Sequence, residues 1–469
     1  MYHLKNLVNK GAIALWLGLC LNQLGTPALA AEQSEAQSQL DSSYQGSVDA
    51  TSYPLVPPLS ECRSKPQSIT VYEYDKTPLG DRQPFLLIHG LRGEYYQGFR
   101  WNELIRHFQA HDQFSKKYKL YLARYDSLNS LSQTVPLMRN AINQLYQSAA
   151  RRPLSVMALS IGGNLVYEAM LDANTDSEVK LLVALGTPFH GSPLFSPDWF
   201  KYSLYKNWQS PFTRMDHALA YRLYFARNPN LLKDFAWDNC DNAIPDAGRF
   251  TSLLPFGPRG ELEADKAANK TLFAVAEKPF DRKKIVAYSG YLSSPYLLSK
   301  PGRIFARTIM APYDFCTIEL PSHMLREDPV LKMLDRQIAA IRTTTASAQL
   351  AGTNFVYGLN DGITPLVSAL FLPAKACASQ AYAREPNIGK IKDGLDVRAA
   401  RVFRDIDHLA FIGGGKGARK IKRVFKDELH PELGAHGLFD WMIFDINQIS
   451  DNTSQIAREA DSERAQPQD

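Results

Sequence analysis

From about residue 60 to residue 445, short apolar runs alternate with stretches in which apolar residues recur every three to four positions. That alternation predicts βαβ units and a mostly parallel sheet flanked by helices, an α/β fold class. Phe85–Ile88, Lys119–Arg124, Leu154–Leu159 and Val179–Leu185 read as buried strands, with Asn354–Tyr357 and Val397–Phe403 as late ones. Helical spacing runs over Trp101–Phe108, Val135–Tyr146 and Ile161–Leu171. The rhythm is lost for about 160 residues between Ser192 and Asn354. A structureless loop of that length is not expected, so a folded cap inserted over about 193–352 is. Its first part is crowded with aromatics, among them Phe195, Trp199, Tyr205, Trp208, Phe225 and Phe235. They read either as the cap's own core or as an apolar acyl-binding surface that opens at a lipid interface.

The pattern also sets off both ends. Lys5 and Lys10 precede an apolar run, Gly11–Leu21, and then Ala28-Leu-Ala30, which predicts a secretory signal over 1–30 and a mature start at Ala31. The run is too short to span a bilayer comfortably. A lipoprotein signal at Cys20 is disfavoured by Leu19, where a small residue is expected. Residues 31–58 read as a flexible leader rich in Gln, Ser, Ala and Asp, the body as 59–447, and the polar stretch 448–469 as a disordered tail. The expectation is an exported protein, periplasmic or secreted. Four cysteines then remain, Cys62, Cys240, Cys316 and Cys377, an even number that favours disulfides with three pairings open. None has metal-ligand spacing. With 45% hydrophobic and 22% charged residues the chain is ordinary globular. Lys5 and Lys10 supply two of its +5 formal charges, and the +3 left is too mild to argue for nucleic acid.

The chemistry concentrates where apolar runs end. Leu154–Leu159 stops at Ser160, which is flanked two residues away by Ala158 and Gly162, the small neighbours a sharp strand-to-helix turn requires. Taken alone, Ser160 is equally readable as a helix N-cap. A nucleophilic serine needs a base, an acid to orient the base, and donors for the oxyanion. The glycines of Ile88-His-Gly-Leu-Arg-Gly93 allow a turn that aims the Leu91 N–H, with that of Ile161, at an oxyanion. His89 reads as a structural residue of that turn rather than as the base. Asp361, in an Asn-Asp-Gly turn after an apolar run, is the candidate acid; a plain hairpin turn is the rival reading. His408, after the last strand, is the candidate base, with His436 the weaker rival. Asp405 is the lesser alternative for the acid, and Asp407, adjacent to the histidine, is expected to point elsewhere.

The order Ser160, Asp361, His408 and four segments resemble the lipase and esterase branch of the α/β-hydrolase superfamily. The segments are Ile88-His-Gly-Leu-Arg-Gly93, Ala158-Leu-Ser-Ile-Gly-Gly163, Leu185-Gly-Thr-Pro-Phe-His-Gly-Ser192, and Asn360-Asp-Gly362 with Asp407-His-Leu409. Two positions depart from it: Ala158 stands at the commoner glycine of the elbow, and Leu159 where many lipases carry histidine. The resemblance implies hydrolysis of carboxylic esters through an acyl-enzyme without a metal or organic cofactor. A structural calcium ion occurs in the family, but no ligand set is readable here. The implied partner is a hydrophobic ester or lipid, with transient contact at a lipid interface. An acyltransferase or thioesterase would use the same three residues. A catalytically dead binding protein of this fold would usually lack one of them, and all three are present.

Overall fold

The computed structural model describes residues 68–95, 97–192, 229–236, 269–291, 363–373, 388–413 and 423–448, with residues 66, 195, 238 and 361 individually. The expected signal, leader, four cysteines, strand at 354–357 and tail beyond 448 lie outside these residues, as do most of the cap's aromatics.

Seven strands form one sheet: β1 (Thr70–Glu73), β2 (Gln83–Ile88), β3 (Tyr118–Arg124), β4 (Leu154–Leu159), β5 (Val179–Leu185), β6 (Ile285–Tyr291) and β7 (Ala399–Arg404). Their order is β1-β3-β2-β4-β5-β6-β7. Only β1 is antiparallel to its neighbour. The central strands are buried along nearly their whole length, as expected of parallel strands covered on both faces. Alternate residues serve opposite faces. Leu86, Ile88, Val156 and Ala158 pack into one core with helices α1 (Leu131–Ser148) and α2 (Ile161–Met170). Phe85, Leu87, Met157 and Leu159 pack into another, together with Leu104, Ile105 and Phe108 and with Trp441, Met442 and Ile446 of a helix over 438–448.

Strand β6 corrects the expected cap. Residues 285–291 lie inside the stretch assigned to an insertion, yet they pair with β5 on one side and β7 on the other. Its apolar run, Ile285–Tyr288, is cut short by Ser289 and Gly290, which hides the pattern of a buried strand. Two aromatics expected in the cap, Phe195 and Phe235, are buried in the sheet's own core with rings 6.1 Å apart.

Register fixes where function can sit. Ile88 pairs with Ala158, Leu159 with Leu185, and Leu185 with Tyr288. The turns that begin at His89, Ser160 and Gly186 therefore leave the sheet side by side at its carboxyl edge, where open α/β sheets place their sites.

Candidate active site

Ser160 closes β4 and opens α2 with φ 55° and ψ −132°, a conformation rarely held by a non-glycine residue. It occupies the N-cap position, but its side chain makes no capping bond, which removes the N-cap reading. Its amide donates to Leu185 O at 2.9 Å, tying the turn to the end of β5. Small neighbours are obligatory: a Cβ on Gly162 would lie 2.5 Å from His89 O.

Asp361 and His408 meet at this edge. His408 Nδ1 lies 2.7 Å from Asp361 Oδ2, and both side chains are buried. The other carboxylate oxygen accepts from the amides of Ile363 (2.9 Å) and Thr364 (2.8 Å), so the acid is held from both sides. The His408 amide donates to Asp361 O at 3.1 Å, a second link between the two residues. Both lie against Gly186, whose φ is +56°. A Cβ there would sit 2.9 Å from His408 Nδ1 and 3.0 Å from Asp361 Oδ2. Because Leu185 binds the Ser160 amide, the serine turn and the histidine–aspartate pair converge on one glycine.

The rivals are placed elsewhere. Asp405 bonds through its backbone to Tyr291 O, and Asp407 Oδ1 caps the short turn His408–Ile412 by accepting from Ala410 N. His436 is exposed on a hairpin and faces Leu433 O. Asp361 lies in the connection from β6 to β7, and the strand expected just ahead of it, at 354–357, falls outside the described residues.

The expected oxyanion turn crosses directly over the serine: a Cβ on Gly90 would fall 3.0 Å from Ser160 Cβ. Leu91 is half-buried and Ile161 buried, and neither amide has a hydrogen-bond partner among the described residues. His89 is the foundation of this turn. Its ring stacks on Tyr125 at 4.3 Å, Nδ1 faces Gly90 O at 2.9 Å, and Nε2 accepts from Tyr125 N at 3.3 Å. Complete burial lowers its pKa to about 3, so the ring stays neutral. Glu94, buried 3.8 Å from His89, has its pKa raised to about 8 by desolvation. Ser127 donates to Glu94 Oε1 at 3.0 Å and accepts from Arg92 N at 2.6 Å, which extends the support under Leu91.

Sequence reasoning missed a second buried couple. His190 Nδ1 lies 2.6 Å from Asp238 Oδ2, and both side chains are fully buried. Asp238 stands 48 positions away in the chain with no periodic pattern around it, so only Gly-Thr-Pro-Phe-His was visible. Among the described residues no group of three or more His, Cys, Asp or Glu side chains is placed to hold a metal ion.

A serine elbow at the carboxyl edge of a mostly parallel sheet, in this strand order, makes this an α/β-hydrolase fold. No family model and no curated protein matches the chain. Among solved structures it is similar to Aspergillus fumigatus lipase B, at 17% identity and TM-score 0.23, over 26% of this chain and 29% of that one. It is similar to mature Bacillus licheniformis lipase at 17% identity and TM-score 0.23, over 36% and 70%. A metagenomic carboxyl esterase aligns at 12% identity and TM-score 0.32, over 72% and 69%. The chain thus spans less than a third of the fungal lipase.

Proposed function

We propose that the chain is a serine hydrolase of carboxylic esters that works through an acyl-enzyme. The observation that carries this reading is the His408–Asp361 hydrogen bond, seated on Gly186 beside the strained Ser160 turn. The Ser160 hydroxyl attacks the ester carbonyl carbon while its proton passes to His408 Nε2. Asp361 holds the proton on Nδ1, which fixes the tautomer that can accept, and stabilises the imidazolium that forms. The amides of Leu91 and Ile161 receive the oxyanion. The tetrahedral intermediate then expels the alcohol, which takes the proton from His408, and water repeats the sequence to release the acid. The aromatics between Trp199 and Phe225 support a hydrophobic acyl ester as the substrate class, and the signal-like residues 1–30 support export.

The test is labelling with a serine-directed fluorophosphonate, followed by hydrolysis of p-nitrophenyl esters of graded acyl length with and without a lipid interface. A single adduct on Ser160 is expected. Ser160→Ala should reduce kcat on the order of 10⁴- to 10⁶-fold with the fold intact. An unlabelled Ser160 would refute the hydrolase reading. A rate that does not rise with acyl length would refute the hydrophobic-substrate part alone.

A further inference from the structure

The turn that follows β5 is tied to the acid-bearing segment by a series of hydrogen bonds. Thr364 Oγ1 donates to Gly186 O at 3.0 Å, and Ser192 Oγ donates to Ile363 O. The His190 amide donates to Ser368 Oγ at 3.0 Å, and Ser368 Oγ donates onward to Gly191 O at 2.9 Å. The His190 ring completes the set. Its Nε2 lies 2.6 Å from Leu372 O, a carbonyl that can only accept, so Nε2 carries a proton. Its Nδ1 faces the Asp238 carboxylate at 2.6 Å, and Asp238 N donates back to His190 O at 3.1 Å. A ring that donates from both nitrogens is an imidazolium, and none of it reaches solvent.

We propose that His190 is a positioning residue for the His408–Asp361 couple: locked by Asp238, it holds the 363–373 segment against the turn after β5 and so sets where Asp361 meets His408. The proposal rests on the hydrolase reading for its kinetic consequence but not for its geometry. The chemical logic is direct. Asp361 sits two residues ahead of a segment whose other hydrogen bonds are neutral, apart from one long bond from Arg282 Nη1 to Phe371 O at 3.4 Å. A buried charged donor makes bonds roughly twice as strong as neutral ones. Among the described residues the charged groups that face His190 are Asp238 and Arg282, whose guanidinium lies 4.0 Å over the Phe371 ring. Burial opposes a charge on His190, but the Asp238 carboxylate and the ring's hydrogen bonds outweigh burial and the Arg282 charge, raising its pKa above the usual histidine value. The lock is therefore fully present below the usual histidine value and is lost as pH rises through the raised one.

The experiment compares wild type, His190→Gln and Asp238→Asn by three readouts: steady-state kinetics on a short soluble ester across pH, phosphonate labelling of Ser160, and the low-field proton resonance of His408 Nδ1, assigned by its loss in His408→Ala. His190→Gln is expected to lower kcat about 10- to 100-fold with KM nearly unchanged, since small misplacements of catalytic groups act on kcat. The alkaline fall of kcat expected of wild type should disappear, and the His408 resonance should shift or broaden. Asp238→Asn should move the alkaline fall to lower pH. Wild-type kcat, pH profile and His408 resonance in both variants would overturn the proposal. If His190→Gln does not fold, Asp238→Asn decides by the same readouts. If wild type fails to label at Ser160, the hydrolase reading falls while the His408 resonance still reports on positioning.

Discussion

At the scale of single residues the site depends as much on what is missing as on what is present. Gly186 combines φ +56° with an absent side chain whose Cβ would press on both His408 and Asp361. Gly186→Ala is therefore expected to cost about 1–2 kcal/mol of stability from the backbone alone. On the proposed mechanism it should also lower kcat on the order of 10²-fold by displacing His408. Thermal melts and steady-state kinetics separate the two effects, and a variant with wild-type kcat would show that the pair is not seated on this residue. Ser160, Asp361 and His408 stand out in the sequence as candidates because each lies in a short turn with its own signature. Gly186 was visible only as part of a motif, and its purpose needed coordinates. His190 and Asp238 were not legible as a pair, since neither periodicity nor spacing links them. The hydrogen bonds of the Asp361 carboxylate show why the same Asn-Asp-Gly turn that mimics a plain hairpin can serve as an acid: its oxygens bind Ile363 N, Thr364 N and His408 at once.

Among the secondary-structure elements, strands with unbroken apolar runs could be read to within one or two residues, as β4 and β5 show. Two kinds escaped. The four-residue antiparallel edge strand β1 is too short to give a pattern, and β6 loses its pattern at Ser289-Gly290. A third feature with no sequence signature is the clamp that joins β7 to the helix over 438–448. Arg401 Nε lies 2.9 Å from Asp445 Oδ2 and Arg401 Nη1 lies 2.8 Å from Asp427 Oδ2. The guanidinium stacks 4.7 Å over Trp441, and Tyr288 Oη donates to Asp445 from β6 at 2.5 Å. Strand β7 leads directly into the turn that carries His408, so this clamp anchors that turn from behind. Asp445→Ala leaves a buried guanidinium short of an acceptor and a buried hydroxyl without one. The expected loss is about 3–5 kcal/mol, measured as a lower urea midpoint. A loss under about 1 kcal/mol would mean that the remaining Asp427 suffices.

Across the whole molecule, the buried polar groups around the site should dictate how stability responds to pH. Glu94 titrates near 4.5 in the unfolded chain but at about 8 when folded, because burial disfavours its charge. The unfolded chain therefore releases this proton first, and stability falls as pH rises across that window. Glu168, raised to about 7 by burial and by the nearby Asp234, contributes with the same sign. His190 does as well, since its raised pKa means that the charged, locked ring is lost on the alkaline side. His89 acts in the opposite sense. The unfolded chain binds its proton below about 6.5 while the folded ring stays neutral down to about 3, so stability falls as pH drops. Between 4.5 and 6.5 the slopes of Glu94 and His89 oppose one another, and outside that range one sign prevails on each side. Urea midpoints measured from pH 3 to 8.5 should therefore show a maximum near pH 4.5, where the two raised acids together begin to outweigh His89, and by pH 8 a loss of about 3–4 kcal/mol from each raised acid, offset by about 2–3 kcal/mol from His89. Glu94→Gln cannot ionise, so it should flatten the alkaline fall in part and leave the acid side untouched, because His89 alone governs that limb within this cluster. A wild type that gains stability from pH 6.5 to 8, or a Glu94→Gln variant with an unaltered alkaline limb, would show that Glu94 is already ionised beneath the Leu91 turn.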